Sequence, residues 1–268
     1  MNRSTKIAIM GKGGAGKTTI TVLLAKFLIE ENHLPILLID ADPTTSHLAR
    51  ILGINMNIDQ NKRKSIEYIR KYIINTAITG DKSEKNILAN SLYDIISEII
   101  LHNEKYDLLV LGQPETIGCF CPSNSLLREL IENISEKYKF VLIDCEAGME
   151  QIHREVVRNI DFLLIISEPT LAGLSTVQNI IQSAKKFTFS KQIKIIINKF
   201  SENIKNNLEY IFKKLRKDSN LENDIICYIP LSDSLYSFDN EEFNFTSFGI
   251  PLEIMNSVRK IYNSLIKI

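Results

Sequence analysis

The stretch Gly11-Lys12-Gly13-Gly14-Ala15-Gly16-Lys17-Thr18-Thr19 constrains this chain more than any other part of it. It follows the apolar run Ile7-Ala8-Ile9-Met10 and opens the helix-like Ile20–Ile29, the strand–GxxxxGK[ST]–helix order that a phosphate-binding loop requires. Glycine lets the backbone turn its N–H groups inward onto phosphate oxygens, and the N-terminus of the following helix favours anionic charge. In such a loop Lys17 reaches the β- and γ-phosphates and Thr18 holds Mg²⁺ through its hydroxyl. The loop needs a buried strand behind it and a helix in front. The expected fold is therefore α/β, a P-loop NTPase with a mostly parallel sheet and helices on both faces, read as one domain over residues 1–268.

Lys12 makes the loop more specific. With Gly11-Lys12-Gly13-Gly14 and Lys17, the segment resembles the deviant Walker A of the family that includes the nitrogenase iron protein, MinD, ParA and the nickel-insertion ATPase CooC. The resemblance implies an ATPase in which Lys12 crosses a dimer interface to the partner's nucleotide, so that ATP joins two subunits. Lys12 and Lys17 are then catalytic, and Gly11 through Thr19 bind the nucleotide.

The next apolar run, Pro35–Ile39, reads as a parallel strand covered on both faces and ends in Asp40-Ala41-Asp42-Pro43. Acids at the carboxyl end of such a strand lie in the crevice where α/β sheets bind ligands. The resemblance makes this the switch I segment, with Asp40 the first candidate for orienting the attacking water or a Mg²⁺-bound water and Asp42 the second. Asp42-Pro43 also suits a turn that caps a helix through Leu48 to Leu52. From about Gly53 to Lys105 the pattern is less regular, and helices are read there, one of them over Leu92–Leu101. The cluster Lys62-Arg63-Lys64 is read as a solvated face.

Strand character returns at Asp107–Leu111, followed by a loop carrying Cys119-Phe120-Cys121 and by Ser123 as N-cap of a helix with Leu126, Leu127, Leu130, Ile131 and Ile134. Residues two apart in an extended segment share a side, so Cys119 and Cys121 can present two thiolates in one direction. Soft thiolates select Zn²⁺, Cu(I), iron–sulfur clusters or nickel, and two chains about a two-fold axis would supply a tetrahedral set of four. The strand Phe140–Ile143 ends in Asp144, which fits the acid that holds the Mg²⁺ hydration shell in P-loop NTPases. Gly148 falls at the family's switch II position, and Cys145 beside it reads as a small buried thiol rather than a third metal ligand.

Strands over Asp161–Ile166 and Gln192–Ile197, with an amphipathic helix of Leu174, Val177, Ile180, Ile181 and Ala184 between them, continue the alternation of a doubly covered parallel sheet. Asn198-Lys199 resembles the family's adenine-reading position. Ile225–Pro230 reads as the last strand, and Pro230 would enter the other wall of the base pocket. The tail places Ile254, Val258, Ile261, Leu265 and Ile268 on one helical face. MinD relatives bind membranes through such a helix, but its polar face is not densely basic here, and docking onto the protein is expected.

Lys plus Arg and Asp plus Glu are both 32, which leaves no basic footprint for nucleic acid. No signal peptide or membrane-length apolar run is read, so the expected location is cytoplasmic and the cysteines are expected to be thiols or metal ligands. The loop from Gly112 to Pro122 and the segment Asp144-Cys145-Glu146-Ala147-Gly148-Met149-Glu150 resemble CooC and its acetyl-CoA-synthase-associated relatives, whose Cys-x-Cys binds metal at the dimer interface. That resemblance implies an ATP- and Mg²⁺-dependent homodimer with Ni²⁺ or Zn²⁺ at its interface, serving a client such as carbon monoxide dehydrogenase or acetyl-CoA synthase. The alternatives are an iron–sulfur electron-transfer ATPase like the nitrogenase iron protein, a positioning ATPase of MinD or ParA kind, and a small-molecule kinase.

Overall fold

The computed structural model describes residues 3–41, 46–54, 98–111, 131–145, 159–187, 189–215, 224–239 and 243–266. Their strands are β1 (Thr5–Gly11), β2 (Ile36–Ala41), β3 (Leu101–His102), β4 (Asp107–Val110), β5 (Phe140–Cys145), β6 (Asn159–Ser167), β7 (Phe189–Phe200) and β8 (Ile225–Pro230). They form one sheet in the order β3-β4-β2-β5-β1-β6-β7-β8, parallel except for β3 against β4. The helices among the described residues include α1 (Lys17–Glu30), α2 (His47–Ile51), α3 (Leu171–Phe187), α4 (Lys205–Leu215) and α5 (Leu252–Ile266).

The period of two along each strand separates two cores. Ile7, Ile9, Leu38, Leu142 and Leu164 pack with α1, α2 and α5, while Ala8, Met10, Ile39, Ile143 and Leu163 pack on the opposite face with α3 and α4. Helices on both faces explain why β2 and β5 are apolar almost without interruption until their terminal acids. The expected α/β fold with a mostly parallel, doubly covered sheet is the one observed.

The tail helix docks. Ile254, Val258, Ile261 and Leu265 of α5 are almost completely buried in the same core as α1, and Ser257 Oγ donates to the Tyr228 carbonyl of β8 at 2.9 Å. Among the described residues no helix is long and apolar enough to cross a membrane. The helix read over Leu92–Leu101 needs correction at its end, because Leu101 lies in β3 and pairs with Leu108. A turn closed by Asn103 N–H donating to the Tyr106 carbonyl, with His102 Nδ1 2.8 Å from Asp107 Oδ1, folds this segment back as an edge strand. Residues 91–97 lie outside the described residues, as do 112–130, which carry Ser123 and most of the helix read after it.

Candidate functional site

The phosphate loop leaves β1 at the middle of the sheet and is shaped by three glycines with positive φ: Gly11 (154°), Gly14 (77°) and Gly16 (94°). A Cβ on Gly11 would lie 2.2 Å from the Ile166 carbonyl oxygen of β6, and one on Gly16 would lie 2.3 Å from Asn198 Nδ2. Neither position has room for a side chain. Gly14 is different, since nothing lies within 4 Å of its Cβ position and only its backbone conformation calls for glycine. The Lys12 carbonyl accepts the Ala15 N–H at 3.1 Å and the Lys17 ammonium at 3.4 Å, which folds Lys17 back over the loop. Lys12, Gly13 and Gly14 are exposed, while Gly16, Lys17, Thr18 and Thr19 are partly so as α1 begins.

The two strand-end acids stand side by side. Asp40 of β2 and Asp144 of β5 are partners in register and are both buried. Asp144 Oδ1 lies 3.5 Å from the hydroxyl of Thr21, a fully buried residue of α1 whose hydroxyl donates to the Lys17 carbonyl at 3.0 Å. Asp40 Oδ2 accepts the Ala49 N–H of α2 at 2.9 Å. Ser46, the N-cap residue of α2, is left-handed (φ 42°) and makes no side-chain cap bond, so the carboxylate of the neighbouring strand serves that helix start. Cys145 is buried, and burial first and the Asp144 charge second push its thiol up to about 12, which fits the reading of an inert core thiol.

The end of β7 closes the other flank. Asn198 Nδ2 donates to the Ala15 carbonyl at 2.8 Å, and Lys199 Nζ donates to the Gly14 carbonyl at 2.8 Å and to Glu168 Oε1 at 2.6 Å. Asn198 Oδ1 is buried without a hydrogen-bond partner. A buried amide oxygen left over at the mouth of a phosphate loop suits an exocyclic amino donor such as that of adenine. Pro230 ends β8 beside it, where the next residue, Leu231, donates its N–H to the Phe200 carbonyl at 2.9 Å.

The loop, Lys17, Thr18, Asp40, Asp144, Asn198, Lys199 and Pro230 are thus gathered at the carboxyl edge of the sheet. Asp42, Cys119, Cys121 and Gly148 lie outside the described residues. Among the described residues no group of three or more His, Cys, Asp or Glu side chains is placed to hold a metal ion. Thr21 and Glu168 are additions that the sequence reading missed. Glu168 was within reach of the rule that singled out Asp40 and Asp144, an acid at the end of an apolar strand, since β6 runs on to Ser167.

The residues fit Mg-ATP. Gly11 and Gly16, packed against the neighbouring strand ends, keep side chains out of the loop and leave its backbone N–H groups to phosphate. The Thr18 hydroxyl with the paired acids Asp40 and Asp144 supplies the oxygen donors that a hydrated Mg²⁺ takes. The profile of the AAA domain family matches residues 4–211. An uncharacterized ATP-binding protein of Methanocaldococcus jannaschii is 31% identical over 97% of this chain and 94% of its own. The carbon monoxide dehydrogenase accessory protein CooC of Rhodospirillum rubrum is 32% identical over 65% of this chain and 67% of its own. The solved structure of the MinD cell division protein of Aquifex aeolicus shares the fold, with a TM-score of 0.64, 20% identity and 97% of each chain covered. The chain belongs to the AAA domain family, as a P-loop ATPase of the MinD/ParA group.

Proposed function

We propose that this ATPase is a CooC-like maturation factor, a nucleotide-controlled homodimer that carries nickel or zinc on Cys119 and Cys121 and assists metal insertion into a client such as carbon monoxide dehydrogenase or acetyl-CoA synthase. The observation that carries the reading is where the cysteine segment leaves the sheet. Leu111, the residue after β4, donates its N–H to the Asp40 carbonyl at 2.9 Å, so the chain toward Cys119 departs from the nucleotide edge beside the two acids. Similarity to CooC over two thirds of that protein supports it further. The docked α5 weighs against membrane positioning through the tail, because its apolar stripe is already covered.

The reaction proposed is phosphoryl transfer from ATP to water, in which positioning and charge neutralisation do most of the catalysis. Lys17 would face the β- and γ-phosphates, Thr18 and Asp144 would hold Mg²⁺, the latter through its hydration shell, and Thr21 steadies Asp144. Mg²⁺, when bound, supplies charge neutralisation at the phosphates. Asp40 has one carboxylate oxygen built into the start of α2, so we assign it the bracing of that segment and give the attacking water to Asp42. Lys12 completes the partner's site, and Asn198 Oδ1 accepts from the adenine amino group. Gly148 senses the γ-phosphate, and Pro230 walls the base.

With hydrolysis blocked, ATP-loaded protein should hold one Ni²⁺ or Zn²⁺ per two chains by elemental analysis and light scattering. Cys119→Ala or Cys121→Ala should lose the metal and keep ATP binding, because two thiolates per chain close a tetrahedral site only in pairs. One metal per chain, or full retention in the double variant, would remove the shared site. Unchanged ATP affinity in Lys17→Ala would remove the assignment of Lys17.

A further inference from the structure

Two carbonyls of the phosphate loop are held by one dipeptide from far along the chain. Lys199 Nζ takes the Gly14 oxygen and Asn198 Nδ2 takes the Ala15 oxygen, each at 2.8 Å. In a trans peptide the oxygen and the hydrogen of one plane point to opposite sides. Fixing the Gly14 oxygen therefore braces the peptide plane whose Ala15 N–H closes the loop onto the Lys12 carbonyl at 3.1 Å, and fixing the Ala15 oxygen fixes the direction of the Gly16 N–H.

Lys199 is itself held from behind. Its ammonium meets Glu168 Oε1 at 2.6 Å, and the Glu168 carbonyl accepts both the Thr170 N–H (2.8 Å) and the Ser167 hydroxyl (2.9 Å). Gly173 packs so closely on this turn that a Cβ there would come within 2.7 Å of the Glu168 oxygen. Lys199 also adopts φ 56°, a left-handed conformation that is unfavourable for a non-glycine residue. Such a cost persists where the surroundings over-determine the conformation, and the two bonds of the ammonium supply that constraint.

We propose that Lys199 and Glu168 are a positioning pair for the ATPase: Glu168 anchors the Lys199 ammonium on the Gly14 carbonyl, and this orients the phosphate-loop peptide planes rather than reading the base. The site splits its labour at adjacent residues. Asn198 keeps an oxygen for the base, while the ammonium of Lys199 is committed to the loop and to Glu168. The proposal is independent of any metal on Cys119 and Cys121.

The test is steady-state hydrolysis, by the full-length chain, of ATP and of inosine triphosphate, whose base carries an oxo group in place of the six-amino group and a proton on N1. Lys199→Met keeps the length of the side chain and loses the charge. It should raise KM for both nucleotides by the same factor, about tenfold, the scale of one charge-assisted bond that is partly exposed. kcat should change little, since the loop holds ground state and transition state alike. Lys199→Arg, which again offers donors to both acceptors, should recover much of the loss. Glu168→Gln leaves the ammonium but weakens its anchor, and should raise KM less, again equally for the two nucleotides. Unchanged KM in Lys199→Met overturns the proposal, as does a loss confined to ATP, which would make Lys199 a base reader. If Lys199→Met does not fold, unchanged KM in Glu168→Gln overturns it alone.

Discussion

The contrast between Gly14 and Gly16 offers a test of how the loop is built, because the two glycines share a loop and a positive φ but not a surrounding. Gly14→Ala places its Cβ in open space, so its cost should be the left-handed backbone alone, about 1 kcal/mol. Gly16→Ala carries the same backbone cost and also sets a methyl 2.3 Å from Asn198 Nδ2. Asn198 can move away only by surrendering the Ala15 carbonyl, a bond worth about 1 kcal/mol, and its own buried packing is disturbed as well. The expected total is about 2–3 kcal/mol. Urea unfolding without nucleotide measures both variants. The decisive arm is a double-mutant cycle with Asn198→Ala, which deletes the atom that clashes. On that background Gly16→Ala should fall back to about the cost of Gly14→Ala, with a coupling of about 1 kcal/mol or more. Equal costs at the two glycines, or strict additivity in the cycle, would refute the account of Asn198 as the wall of the loop.

Asp42→Ala should cut kcat while leaving ATP affinity, whereas Asp40→Ala should lower the unfolding midpoint by uncapping α2; the reverse pattern in turnover and urea titrations would exchange their roles. Ile261→Ala in α5 should cost about 2–5 kcal/mol in chemical unfolding, as expected of a fully packed core residue and not of a membrane-seeking one. His33 is held below its ordinary value by burial first and by the Lys139 ammonium second, with Glu31 opposing. The unfolded chain then takes up a proton more readily than the folded one, so the contribution of His33 is complete above 6.5 and is lost as pH falls through the lower folded value. His33→Gln should flatten that acid limb of a stability–pH profile. Cys145, with its thiol near 12 and buried, should resist iodoacetamide at pH 8 in the native protein and react once urea unfolds it.

The strands were legible because both faces of the sheet are covered, so β2 and β5 appear as continuous apolar runs that need no partner to be recognised. Asp40 and Asp144 were legible for the same reason, as charges that interrupt such runs at their carboxyl ends. The tail helix was legible as a stripe, and the small number of basic residues on its polar face pointed to docking. What stayed hidden depends on contacts distant in sequence. Nothing near Lys199 indicates that its ammonium ends on Gly14, 185 residues away, or that Thr21 lies against Asp144, 123 residues away. The two-residue β3 was hidden for a local reason. Leu92, Ile95, Ile96, Ile99 and Ile100 keep a helical period up to the residue before the chain turns back, and the turn at Asn103–Tyr106 carries neither glycine nor proline to mark it.

The strand order has a consequence for how the protein comes into being. β1, which ends in the phosphate loop, hydrogen-bonds on one side to β5 and on the other to β6, both drawn from residues beyond Lys139. A ribosome that has released only the first half of the chain has therefore made the loop, Lys17 and α1 but neither neighbour of their strand, and an isolated strand in water does not hold its shape. Pairings this distant are slow to find. The most recognisable motif of the sequence, emerging first, is among the last parts to become a binding site, and nucleotide can reward folding only after Asp144 and Ile166 have arrived on either side of it.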